Sequence, residues 1–266
     1  MEENSVGFNI EYERKKKLLK SLIEQLSKLI EEKDFLLNVK KVNIETKYMC
    51  SIGKYEMERM NLNFEIRALK KEISLRQSAL NRGEVMSEGY IEQVMKEELR
   101  VWHEKINAFS KQIKDAEIFV KLPKLSDEES KRFKSLYNRK LIKLLHPDIH
   151  KCDERDKLLW QRVCEAYKNG DLEELENLMY LVEDKNMDDL LDKQAESIED
   201  KVEKLKKLIF KCLDKIDKIK KMFPFTIEKE ISNDQWVKDK IDEIQINIQF
   251  LKNYRDKLKV VLSEFK

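Results

Sequence analysis

Two of the chain's three histidines and one of its three prolines fall within ten residues, LIKLLHPDIH at 141–150. An imidazole such as that of His146 can serve as a base or a ligand, and a carboxylate such as that of Asp148 can accept charge-assisted hydrogen bonds. Pro147 between them fixes φ and stops a helix. From Ser130 to Leu145 the preceding segment carries six basic residues and no acid. Three kinds of chemistry are open to such a group. His146, Asp148, His150 and Cys152 alternate every second residue, and a metal could draw ligands from them. The proline inside the set and the lack of a second cluster argue against it, so no metal is expected. His146 could act as a general base, but no nucleophile, Gly-rich phosphate loop or paired carboxylate stands near it in sequence. No catalytic residue, cofactor or enzymatic activity is therefore expected. The third possibility is recognition: a carboxylate just past a rigid turn, led by a row of cations, suits a complementary charged protein surface.

Such a group needs elements to hold it. Ser126 followed by Glu129 is a capping-box signature and opens a helix. That helix ends at His146, because Pro147 has no N–H and disfavours α geometry at the residue before it. At 100° per residue, Phe133, Tyr137, Leu141, Leu144 and Leu145 fall on one side and are expected in the core. Arg132, Arg139 and Lys143 fall within about 40° of each other on the opposite side. A second helix starts around Asp153, packs Leu159, Trp160, Val163, Ala166 and Tyr167 on one face, and stops at Asn169-Gly170. Trp160, Val163 and Tyr167 are expected to support the core. Asp171 with Glu174 caps a short third helix carrying Leu172, Leu175 and Leu178.

Two helices joined by a His-Pro-Asp loop, the first basic on its outer face, resemble the J-domain of DnaJ-type co-chaperones. The matching residues are RKLIKLLHPD (139–148) and WQRVCEAY (160–167), and the resemblance covers residues 125–182, about a fifth of the chain. It implies that the protein binds the ATP form of a DnaK-type heat-shock chaperone and stimulates ATP hydrolysis by that partner. Arg132, Arg139, Lys140 and Lys143 would then dock on an acidic surface of the chaperone. Asp148 would accept a bond from an arginine there, Pro147 would fix the loop, and His146 would present a ring edge. The family's usual first helix, with Tyr-x-x-Leu-Gly, does not precede Leu125. The end of the preceding long helix, at 113–123, is expected to supply that packing. A Gly/Phe-rich linker and CxxCxGxG repeats are absent as well, which implies a specialised J-protein whose long helices replace the general client-binding parts.

Outside this segment the chain reads as long amphipathic helix. Leu19, Leu22, Leu26, Leu29 and Leu36 keep a three-four rhythm, as do Tyr48, Ile52, Tyr55, Leu62, Ile66, Leu69, Ile73 and Leu80. Gly83 breaks the pattern and Ser87 is placed to cap a third run from Ile91 through Trp102 and Ile113 to Ala116, ending before Pro123. His103 on that run is expected at a helix–helix interface. The rhythm returns from Leu190 and Leu191 through Ile198, Val202, Leu205, Ile209, Leu213, Ile216 and Ile219. Pro224 interrupts it, and a last run spans Trp236 to Leu262. The expected fold is all-α, with long antiparallel helical hairpins of coiled-coil type flanking a small J-like helical domain. In linear order that gives a hairpin at 1–122, the J-like domain at 123–183 and a second hairpin at 184–266.

Composition agrees with long helices: 40% of the 266 residues are charged, with only 5 Gly and 3 Pro. Lys+Arg 54 against Asp+Glu 52 leaves a net charge of +2, so no nucleic-acid role is expected. The lysines of KVEKLKKLIFKCLDKIDKIKKMF interleave with acids and aliphatics and read as a solvated helix face. Cys50, Cys152, Cys164 and Cys212 are too far apart for a zinc knuckle or CxxC motif, which suggests a reducing compartment. With no apolar leader and no apolar run long enough to span a bilayer, the chain is expected to be cytoplasmic, with no membrane partner. The expected partners are a DnaK-type chaperone and an unknown client, the protein itself being a monomer or homodimer. The rival reading is a structural coiled-coil scaffold whose J-like segment is degenerate. Exposure of Arg132, Arg139, Lys143 and Asp148 separates the two.

Overall fold

The computed structural model describes residues 2–84, 87–121, 125–149, 152–182 and 197–265. Among them every regular element is helical, so the fold class is all-α. The helices are α1 (Glu2–Phe35), α2 (Lys41–Ser51), α3 (Gly53–Arg82), α4 (Glu88–Lys121), α5 (Asp127–Ser135), α6 (Lys143–Leu145), α7 (Glu154–Asn169), α8 (Leu172–Leu181), α9 (Ile198–Lys220) and α10 (Asp234–Ser263). Two π-helical segments interrupt the α winding, π1 at Leu36–Lys40 and π2 at Leu136–Ile142. Pro123, His150, Leu190 and Leu191, which figure in the sequence reading, lie outside the described residues. None of the described helices is long and apolar enough to cross a membrane.

The chain groups differently from the linear three-part order read from the sequence. One compact unit comprises Met1–Val42 and Pro123–Thr226, the other Asn43–Leu122 and Ile227–Lys266. In the first unit α1 packs along α9. Ion pairs Lys15–Glu199 and Lys220–Glu32, both at 2.7 Å, show that the two helices run parallel. In the second unit α3 packs against both α4 and α10. Lys252–Glu58 at 2.7 Å and Arg255–Glu65 at 3.3 Å likewise set α10 parallel to α3. The apolar face of α9 is thus taken up by α1 and that of α10 by α3. Within the two units, α9 and α10 thus each belong to a long-range parallel pair. A heptad rhythm tells a helix that it must pack and leaves its partner open. α3 and α4, joined by only a few residues, do pack against each other. At Gly53 the two come close: a Cβ there would meet Ile113 Cγ1 at 3.1 Å.

The J-like segment is not a free-standing core. Phe133, Tyr137, Leu141, Leu145, Val163 and Tyr167 belong to one hydrophobic cluster with Leu19, Ile23 and Leu26 of α1 and with Leu205, Ile209 and Cys212 of α9. α1 packs directly on π2 and α6. It is α1 that fills the place expected of 113–123, whose described part, 113–121, belongs to the other unit. On α9 the seam runs through Cys212, 7% exposed, while Leu213 points outward at 46%.

Candidate docking site

Local signals start and stop the elements around His146. The Glu129 amide donates to Ser126 Oγ at 3.3 Å and the Ser126 amide to Glu129 Oε2 at 2.8 Å, closing the capping box of α5. That backbone donor, with the Ser126 hydroxyl, holds the Glu129 carboxyl below its usual range. Asp153 accepts from the Asp156 amide at 2.8 Å and starts α7. Gly170, at φ 70°, ends it in the left-handed conformation that glycine adopts without strain. Asp171 then accepts from the Glu174 amide at 2.9 Å to start α8.

Between the caps, the winding of π2 decides which side chains face inward. Phe133, Tyr137, Leu141 and Leu145, four residues apart, are all buried. In a pure α-helix each such step drifts by about 40°, which would carry Leu145 well away from Phe133. The wider i→i+5 winding of π2 offsets that drift and keeps the four in line. The same change corrects the predicted faces. Ile142 is fully buried in place of Leu144, which is half-buried, and Lys143 is half-buried rather than lined up with Arg132 on the open side.

An aromatic row ties this core to the turn. Phe133 stacks on Tyr167 (5.2 Å between centroids), Tyr167 on Tyr137 (3.9 Å), Tyr137 on Trp160 (6.1 Å), and Trp160 meets His146 edge-on at 4.7 Å. Such ring pairs are each worth about 0.5–1.5 kcal/mol beyond their buried area. The Tyr137 hydroxyl donates to Asp34 Oδ2 at 2.7 Å, locking α1 onto π2. Burial first, and then the Asp34 charge, raise the Tyr137 phenol far above its ordinary value. Trp160, Val163 and Tyr167 all lie in or against this core.

The turn itself is held from inside. His146 is extended at ψ 127°, as a residue before proline must be. Its amide donates to Ile142 O, its carbonyl accepts from the Ile149 amide at 2.9 Å, and its Nδ1 accepts from the Asp148 amide at 3.0 Å. The His146 ring is only 9% exposed. It is a brace for the turn, and does not offer the ring edge expected at a contact. Ile149 anchors the far side of the turn in the core, and the Cys152 thiol donates to Leu145 O at 3.3 Å. Pro147 and Asp148 are exposed, and the Asp148 carboxylate has no partner among the described residues.

The cations divide. Arg132 is exposed but pairs with Glu176 of α8 at 2.7 Å. Lys134 lies over the Phe35 ring at 4.8 Å. Arg139 and Lys140 are exposed without a partner among the described residues. Lys131 shares their exposure and was not singled out from the sequence, because its place on the open side depends on where α winding gives way to π. Arg139, Lys140 and Asp148 are thus each exposed. The structure ties Arg132 to α8 and turns Lys143 and His146 inward. No family model, curated protein or solved structure matches the chain. The resemblance to J-domains rests on the sequence of residues 139–148 and 160–167.

Proposed function

We propose that the protein is a J-domain-type co-chaperone or adaptor. It docks α5, π2 and the His146–Asp148 turn on a DnaK-type heat-shock chaperone and stimulates ATP hydrolysis by that partner. The long helices hold a client or a larger assembly. The observation that carries this reading is Asp148: an exposed carboxylate without a partner among the described residues, on a turn pinned by His146 and Ile149 and preceded by the exposed cations Arg139 and Lys140. A carboxylate pre-positioned in this way loses little freedom on accepting an arginine, and such a bond is worth about 1.5–3 kcal/mol. Arg139, Lys140 and Arg132 contribute mainly through their field, which speeds encounter with an acidic surface. Pro147 stiffens the loop, and His146 holds the Asp148 amide.

The scaffold reading has its own support in the Arg132–Glu176 ion pair and the half-burial of Lys143, which withdraw two of the expected docking cations. An ATPase assay with a DnaK-type chaperone decides between them. The wild-type protein is expected to stimulate hydrolysis, and Asp148→Asn to bring the rate back to the basal level with an unchanged melting temperature. Equal, unstimulated rates from both proteins would sink the co-chaperone reading and leave the scaffold.

A further inference from the structure

α10 is apolar on a second side as well as the one that α3 covers. On the covered side Ile244 and Ile248 are buried, and Ile241, Leu251, Leu258 and Leu262 are half-buried. On the other side Ile246 is 73% exposed and Phe250 65%. At 100° per residue Ile246 lies about 160° around the helix from both Ile244 and Ile248. Steps of three and four carry this outer face back through Glu243 and Asp239 to Trp236. They carry it forward through Asn253 and Lys257 to Val260, itself 62% exposed. A helix with one neighbour has a single apolar stripe and a polar face opposite it. α10 keeps a three-four rhythm on both sides, the pattern of a helix with a neighbour on each.

The charges on the outer face say which neighbour fits. Its acids, Asp239 and Glu243, lie toward the N-terminal end, and its cation, Lys257, toward the C-terminal end. Two copies of α10 side by side in the same direction would set like charge on like. Turned antiparallel about a two-fold axis between Ile246 and Phe250, they set Ile246 on Phe250, Glu243 on Asn253, Asp239 on Lys257 and Trp236 on Val260. Symmetry forms each pair twice. The most exposed apolar side chains then meet at the centre with the charges outside them, the arrangement of a specific interface. Asp239 accepts a bond from Gln235 at 2.8 Å, but neither it nor Lys257 forms an ion pair among the described residues. The exposed Phe210 and Leu213 of α9 differ in this respect. The charges that follow along their face, Asp217 and Lys220, are paired with Lys221 and with Glu32 of α1.

We infer that α10 is the interface of an antiparallel homodimer, its outer face packing on the same face of a second copy of this chain. The pairing is independent of chaperone binding. A helix pair about 36 Å long buries an area near the low end for specific contacts, so a reversible dimer is expected, dissociating at about micromolar concentration. Sedimentation of the full chain over about 1–100 μM tests this. The wild-type protein is expected to pass from monomer to dimer across that range, and Phe250→Glu to stay monomeric with an unchanged melting temperature. If Phe250→Glu melts early, Ile246→Gln reads the same contact. Phe210→Glu, an equal change on α9, is expected to leave the dimer intact. Asp239→Lys and Lys257→Asp are each expected to raise the dissociation constant about tenfold, since symmetry breaks two pairs at once, and the double reversal to restore it. In a parallel pair either reversal would only exchange one like-charge contact for another. A wild-type monomer throughout, a dimer that survives both Phe250→Glu and Ile246→Gln, or one lost in Phe210→Glu overturns the inference. A double reversal no tighter than the single ones overturns the antiparallel register.

Discussion

α3 and the stretch from Ser130 to Leu145 are both cation-rich helices, and they use their cations in opposite ways. Each of the seven on α3 is engaged within its own unit. Arg59, Lys71, Arg76 and Arg82 pair with acids, and Lys54, Arg67 and Lys70 lie over the rings of Tyr55, Trp102 and Tyr254. Of the six between Ser130 and Leu145, Lys131, Arg139 and Lys140 have no partner among the described residues, and all three are exposed. Charge on α3 is spent on acids and rings of its own unit, whereas Arg139 and Lys140 on π2 face solvent. Composition alone makes the two segments look alike. Only the placement of acids and rings around them tells them apart.

The sharpest way to break this comparison is to remove the free cations. Arg139→Ala/Lys140→Ala should weaken chaperone stimulation by about 0.4–2 kcal/mol, roughly 2- to 30-fold in half-maximal concentration. Stability should stay within about 0.5 kcal/mol of wild type, as for surface changes that break no contact. Denaturation and ATPase titrations on one preparation measure both, and a large loss of stability would mean these side chains are structural after all. Arg76→Ala is the converse. Its guanidinium is only 13% exposed and bonds both Glu72 and Glu88 at 2.8 Å, so about 1 kcal/mol of stability should go while stimulation is untouched.

A third change probes the contact between α1 and π2. Tyr137→Phe removes the hydroxyl bond to Asp34 and should lower stability at neutral pH by about 1 kcal/mol. It should also flatten the alkaline limb. The Tyr137 phenol keeps its proton in the folded state well above its unfolded value of 10.0, so the unfolded chain is the one that sheds protons first. This stability is complete below pH 10.0 and falls as the pH climbs past it. In the second unit the Tyr48 phenol, pushed up to about 12 by burial and the Glu56 charge, behaves alike but over a shorter span. Urea titrations between pH 8 and pH 11 would show the difference, and a wild-type curve that stays flat above pH 10 would contradict it. The smallest effect belongs to Glu176→Gln, which frees Arg132 from its exposed pair. Stimulation should tighten by no more than about fivefold, and a weakening would show that the pair positions Arg132 for docking.

Features written in a few neighbouring residues were legible in the sequence. The capping box at Ser126, the glycine stops at Gly83 and Gly170, the caps at Asp153 and Asp171, and the break at Pro147 all appear where their local chemistry puts them. Of the faces around the turn, the exposure of Arg132 and Arg139 follows the helical wheel. That wheel failed at Ile142, Lys143 and Leu144 because it assumes 3.6 residues per turn, whereas π2 winds more widely. The burial of His146 was out of reach for a similar reason, since it depends on where the Trp160 ring of α7 lies. The parallel partnership of α1 with α9 left no sequence signal, because both carry the same aliphatic rhythm and nothing in that rhythm names a partner.

That partnership also bears on the order in which the protein becomes competent during synthesis. The core beneath the docking turn draws on Leu19–Leu36, on Phe133–Val182 and on Leu205–Ile219. A growing chain that has emerged only as far as α8 therefore has the whole His-Pro-Asp motif but lacks one wall of its core. Closing that core joins segments more than 180 residues apart, as in Lys15–Glu199, a long loop whose formation is slow relative to local helix growth. The core under the His146–Asp148 turn is thus a late product of folding. A ribosome-bound chain stalled before residue 205 should carry the motif without presenting it.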